Sequence, residues 1–69
     1  MFRNNKLIGY RAMLNFTQED MAKKLGISRQ AYSEKERGKI PFKDSEKRLI
    51  KSLIKEMNPI VTIDEIFFS

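Results

Sequence analysis

The chain has 69 residues, with 14 Lys and Arg against 9 Asp and Glu, and neither cysteine nor histidine. Disulfides, thiolate metal sites and cysteine nucleophiles are therefore excluded, and the commonest general base is missing. A single domain over 1–69 is expected, burying only about 60% of the surface its unfolded chain exposes, with no room for a deep catalytic cleft, so no enzyme is expected.

No segment reaches the roughly 20 apolar residues of a membrane span. Met1 to Tyr10 holds no apolar run of signal-peptide length, and a cytoplasmic location without membrane association is expected. All of the basic residues precede Asn58, whereas the segment after it carries only Asp64 and Glu65. Such a division suggests a polyanion-facing body and a tail with a different task.

The elements in chain order read as helices. Leu7, Tyr10, Arg11 and Leu14 recur at helical spacing, which predicts a helix from Asn5 to Asn15, with Asn15 as a left-handed stop. Thr17 caps a second helix, Gln18 to Leu25. Phe16 and Met21 are placed as a hydrophobic staple, and Glu19 and Asp20 complement the helix dipole. Gly26 ends that helix and Ser28 opens the next, Arg29 to Glu36, which stops at Gly38. Ile27 and Tyr32 form a second staple. After a loop, Lys39 to Lys43, Asp44 or Ser45 caps a fourth helix. Its apolar stripe is Leu49, Ile50, Leu53, Ile54 and Met57, and Lys47, Arg48, Lys51 and Lys55 read as its solvated face. Asn58-Pro59 ends it. Thr62 to Glu65 is a capping box, with Val61 and Ile66 as its staple, opening a short fifth helix over about 62–68. No strand pattern or repeat competes, so the fold class is all-α.

The second and third helices, joined by a tight glycine turn over about 17–38, have the helix-turn-helix layout. Ala22 is small where the third helix crosses it, and Gly26 accepts the backbone angle of the turn. Met21, Leu25, Ile27 and Tyr32 then fix the angle between the helices and read as core. The outer face of the third helix, Arg29, Gln30, Ser33, Glu34 and Arg37, is left free. Arg, Gln and Glu carry the forked ends that match base edges in the major groove.

Leu7 to Arg11, Phe16 to Ala22, Leu25 to Gln30, Tyr32-Ser33 and Glu36 to Lys39 together closely resemble Cro/CI-type (lambda-repressor-like, XRE-type) helix-turn-helix transcriptional regulators. The resemblance runs from about Leu7 to Met57, and Thr62 to Phe67 resembles the final helix of that family. It implies a compact five-helix domain that binds a double-stranded DNA operator and regulates transcription, as a repressor. Under the resemblance Arg29, Gln30 and Glu34 read bases. Gln18 binds a backbone phosphate, Ser28 and Ser33 touch phosphate or base edges, and Lys39 and Lys43 meet the backbone. Arg37, on the same outer face, is expected at the backbone as well. Arg11 and Glu36 match a structural ion pair. Lys35 departs from the pattern, at a position that is usually apolar. It is expected to bury its stem and snorkel its amine. No cofactor, metal or small-molecule ligand is implied, and the location narrows to the nucleoid.

One recognition helix reads about four base pairs, too few to select a genomic site, so a homodimer on DNA is expected. Ile63, Ile66 and Phe67 are expected to pack inward. Phe68, with Ile60 or Val61, is left as an exposed apolar patch and the expected dimer interface. A module that keeps this fold but binds a protein, such as an antitoxin or a phage inhibitor, is the alternative, since fold alone does not set function.

Overall fold

The computed structural model describes residues 5–67. They form α1 (Asn5–Met13), α2 (Gln18–Leu25), α3 (Arg29–Glu36), α4 (Asp44–Lys55) and α5 (Ile63–Phe67), with no strand among the described residues. None of these helices is long and apolar enough to cross a membrane.

The helix boundaries follow from local chemistry. α1 stops two residues before the expected end, and Asn15 adopts the left-handed conformation at φ 60°. Its N–H and that of Phe16 then turn back to the carbonyls of Ala12 and Arg11, which satisfies groups the helix end would leave open. At α2 the Thr17 hydroxyl accepts the Asp20 N–H at 3.1 Å, and the Asp20 carboxylate accepts the Thr17 N–H at 2.9 Å. This reciprocal bonding holds the Asp20 carboxyl below its ordinary pKa. Gly26 closes α2 at φ 71°, with nothing within 4 Å of where a Cβ would stand. The backbone angle, not crowding, is what calls for glycine there. Ser28 caps α3 by accepting the Ala31 N–H.

α4 departs from expectation at its start. Neither Asp44 nor Ser45 caps it; the N-cap is Lys43, whose side chain accepts nothing. Glu46 supplies the missing acceptor, taking the Lys43 backbone N–H at 2.8 Å. A lysine can occupy the cap because a glutamate three residues on satisfies the orphan donor. At α5 Thr62 caps as expected, accepting the Glu65 N–H at 3.1 Å.

The core is Leu7, Met21, Ala22, Tyr32, Phe42, Ile50, Ile54, Val61 and Ile66. α2 packs on α3, and α5 lies against both α1 and α4. Each fully buried Leu or Ile contributes about 1.5–3 kcal/mol relative to an exposed one. The staple residues Phe16 and Ile27 pack against this cluster from its edge, beside Tyr10, Leu14, Leu25, Leu53 and Phe67.

Two expectations are corrected here, and one core residue is added to those read from the sequence. Only Ile50 and Ile54 of the α4 stripe are buried, while Leu49 and Met57 are 41% and 38% exposed. The apolar stripe is wider than the part of α4 that the core covers. Val61, expected as a possible interface residue, is 3% exposed and belongs to the core, as its place in the α5 staple requires. Phe42 is a core residue although it sits in the loop before α4. Its ring lies 6.0 Å from that of Tyr32 and 5.3 Å from that of Phe67, joining α3 to α5. Of the other expected interface residues, Ile60 is exposed and Phe68 lies outside the described residues.

Candidate nucleic-acid interface

Ser28 and Gly26 set where α3 begins, and Tyr32 and Ala22 set how closely it lies on α2. With its inner side fixed, α3 presents the opposite side outward. Gln18, Arg29, Gln30, Ser33, Glu34 and Arg37 line one surface groove between the start of α2 and the outer face of α3. Gln18 and Arg29 also line an adjoining groove with Arg11, Thr17 and Glu19. Six residues expected to face DNA are therefore brought together on one surface.

Arg29, Gln30 and Arg37 are exposed, and Gln18, Ser33 and Glu34 are half-buried. The guanidinium groups of Arg29 and Arg37 make no hydrogen bond or ion pair among the described residues. Two guanidinium groups without a partner among the described residues thus line a polar groove, an arrangement whose chemistry suits an anion or a base edge. Gln30 donates to Glu34 one turn on, at 3.5 Å. Glu34 thus lies beside Gln30 and not beside Arg29, because residues four apart are neighbours on a helix surface and residues five apart are not. Ser28 is exposed, and its hydroxyl keeps a donor while it caps α3. Lys39 and Lys43 are exposed in the loop after α3, outside the groove.

Behind the groove lies a buried polar cluster. Arg11 Nε donates to Glu36 Oε2 at 2.8 Å, and another guanidinium nitrogen donates to Oε1 at 3.2 Å. This is the expected ion pair between α1 and α3. Tyr32 Oη also donates to Glu36 Oε2, at 2.7 Å, and Gln18 Nε2 to Oε1, at 3.0 Å. Arg11 is held in addition by donating to the Phe16 carbonyl at 2.9 Å. Burial pushes the Glu36 carboxyl up, but the hydrogen bonds from Arg11, Gln18 and Tyr32 outweigh it and hold its pKa below the ordinary value. The same contact with Glu36 raises the pKa of Arg11. Burial, reinforced by the contact with Glu36, pushes the Tyr32 phenol up.

A second buried pair stands beside it. Lys35 Nζ donates to both carboxylate oxygens of Glu46, at 2.7 and 2.8 Å, with both side chains under a tenth exposed. The Lys35 amine therefore does not snorkel into water. It is enclosed and neutralised, and burial is possible because Glu46 reaches it from the first turn of α4. Sequence reasoning missed this pair, and also the bonds of Gln18 and Tyr32 to Glu36. The signal for the former was a charged residue at an otherwise apolar position of α3. No group of carboxylates among the described residues is arranged to hold a metal ion.

The helix-turn-helix family model matches residues 7–44, from α1 to the start of α4. Over 35 residues the chain is 63% identical to an uncharacterized HTH-type transcriptional regulator of Methanocaldococcus jannaschii, a match covering 51% of this chain and 53% of that protein. The chain thus spans about half the length of the curated relative it matches. No solved structure gives a significant match. The family match takes in more than half of the chain and contains the whole α2–turn–α3 unit, and on that ground the chain belongs to the helix-turn-helix family, in its XRE type.

Proposed function

We propose that the chain is a sequence-specific binder of double-stranded DNA that regulates transcription, with α3 in the major groove. The observation that carries this reading is the groove where Arg29, Gln30, Glu34 and Arg37 stand together with Gln18 and Ser33. Its guanidinium groups make no hydrogen bond or ion pair among the described residues, while the adjacent Lys35 and Glu36 are buried in ion pairs. A surface that spends its buried charges on rigidity and leaves its exposed ones unpaired suits a polyanion. Family membership and the relative's description as a transcriptional regulator support the same reading.

Within it, Arg29 and Gln30 read bases, with Glu34 orienting Gln30. Gln18, Ser28, Ser33, Arg37, Lys39 and Lys43 grip the backbone. The mode of regulation is repression of the Cro/CI type, by occupation of a promoter in the nucleoid. Two copies act on each operator, and Ile60 belongs to the surface that joins them.

The test is a salt titration of binding to duplex DNA. Each phosphate neutralised contributes about −0.9 to the slope of log K against log salt. A steep negative slope is expected. No binding to any duplex at low salt, or a flat dependence, overturns the reading.

A further inference from the structure

We propose that Glu36 is a positioning residue for DNA contact: through its bond to Gln18 it fixes which end of the Gln18 amide faces the groove. The inference rests on the DNA-binding reading of that groove.

Gln18 occupies the first position of α2 and lines the groove with Arg29 and Gln30. Its side chain is half-buried, and its Nε2 donates to Glu36 Oε1 at 3.0 Å. A carboxylate can only accept, so the amide nitrogen must be the end that meets it. An amide nitrogen carries two hydrogens, and Glu36 takes one of them. The other hydrogen and the amide oxygen remain for the groove. A phosphate, which also only accepts, requires the hydrogen. Without Glu36 the amide can turn over and offer its oxygen, which a phosphate repels.

Glu36 is itself held still. Arg11 reaches it from α1 with two nitrogens, and Tyr32 reaches it from within α3. Arg11 is anchored in turn on the Phe16 carbonyl, just before the Thr17 cap. The path Phe16–Arg11–Glu36–Gln18 therefore returns to the start of α2, and Gln18 is ordered before a ligand arrives. A side chain already ordered loses less rotamer freedom on binding. The ion pair that closes the fold and the side chain that faces the groove share a single carboxylate.

The sign of the expected effect separates this role from a general electrostatic one. Replacing Glu36 by Gln removes a negative charge from a DNA-facing domain, which by Coulomb attraction alone strengthens binding. The positioning role demands the reverse. Gln18→Ala, Glu36→Gln and the double variant are compared with wild type for binding a duplex of selected sequence. The temperature is one at which circular dichroism shows each to be folded. Each single variant is expected to bind about tenfold more weakly on every sequence, the loss of one hydrogen bond to a charged group. The double variant is expected to match the singles, because the two residues act as one unit.

If wild type binds DNA while the two losses multiply to about a hundredfold, or Glu36→Gln binds as well as wild type, the positioning role is overturned and the DNA reading stands. If wild type binds no duplex, both fall. If Glu36→Gln does not fold, NMR of the Gln18 side-chain amide in wild type decides: an order parameter near that of the backbone supports the role, and one below about 0.6 overturns it.

Discussion

Lys35 and Glu36 are neighbours in sequence yet fasten α3 on different sides, Lys35 to Glu46 of α4 and Glu36 to Arg11 of α1. The last turn of the helix that lines the groove is thus clamped between two elements by opposite charges. Glu46 does double duty, since the oxygen that meets Lys35 also accepts the Lys43 N–H. Breaking such a pair strands its buried partner, at a cost of about 3–5 kcal/mol. Glu46→Ala is expected at the upper end, because it removes the acceptor at the start of α4 as well. Lys35→Met with Glu46→Leu together is expected to cost much less than either partner's removal alone, since no charge is left uncompensated. Urea unfolding of the three variants checks the order. Equal stability of wild type and Glu46→Ala shows that the pair holds nothing.

Stability is expected to fall in acid in a defined window. For Glu46, burial raises the pKa, but the bonds from Lys35 and from the Lys43 backbone outweigh it, and the folded value lies below the ordinary 4.5. Glu36 is depressed in the same direction. A carboxyl whose folded pKa is depressed stabilises fully above its unfolded pKa and loses that contribution as pH falls through the folded one. The melting temperature is therefore expected to hold near neutrality and drop below about pH 4.5. Tyr32 has the opposite sign, being raised from 10 by burial and by Glu36. Its contribution is complete below pH 10 and is lost as pH climbs above it, so a second decline is expected there. Melting curves from pH 2 to 12 for wild type and Glu46→Gln test both limbs, with a smaller acid drop expected in the variant. An identical acid drop in the two proteins removes Glu46 from the account.

Much of this architecture was legible in the residues. Thr17, Gly26 and Ser28 carry their structural meaning locally, in a hydroxyl before a helix or a glycine after one, and the α2–turn–α3 boundaries follow directly. The Arg11–Glu36 pair was reachable only through family resemblance, because nothing local to either residue names a partner 25 positions away. Phe42 and Lys35 escaped for a related reason. A loop aromatic joins the core only because Tyr32 and Phe67 converge on it. A lysine is buried only because the first turn of α4 arrives beside it. The α4 stripe misled because periodicity reports which side of a helix is apolar, not how much of that side another helix covers.

At the groove, Arg29→Ala and Gln30→Ala are each expected to cost about 1–3 kcal/mol in affinity for the selected site and to relax preference at one base position. Arginine's fork matches the paired acceptors of guanine, and glutamine's amide matches the acceptor and donor of adenine. Glu34→Ala is expected to blur the position read by Gln30 and to leave that read by Arg29 intact, since among the described residues it is the Gln30 side chain that bonds to the Glu34 carboxylate. Binding-site selection with each variant supplies the readout. Uniform weakening on all sequences reassigns Arg29 and Gln30 to the phosphates.

Pairing of two chains on DNA is expected through a surface near the C-terminal end of α4. Among the described residues, Leu49, Met57 and Ile60 are exposed there, Ile60 at 84%, and Leu53 is half-buried between Leu49 and Met57. Leu49, Leu53 and Met57 follow one another at intervals of a helical turn and form a single ridge. Arg48, Lys51 and Lys55 fall on the other flank of the helix, three and four residues apart, so two copies can bring the ridges together without opposing their lysines. A ridge of three side chains is small beside the roughly 1,200–2,000 Å² of a stable complex. The dimer is therefore expected to be weak in free solution and to form on an operator whose half-sites lie about 34 Å apart, where DNA holds both copies near each other. Met57→Glu places a charge in the ridge and Ile60→Glu one just beyond it, both at exposed positions that leave the buried core untouched. Sedimentation with operator DNA is expected to show two wild-type chains per duplex, and the double variant is expected to bind a half-site normally but lose affinity for the full operator. A single wild-type chain per operator, or full-operator binding by the double variant equal to wild type, removes this surface from the assembly.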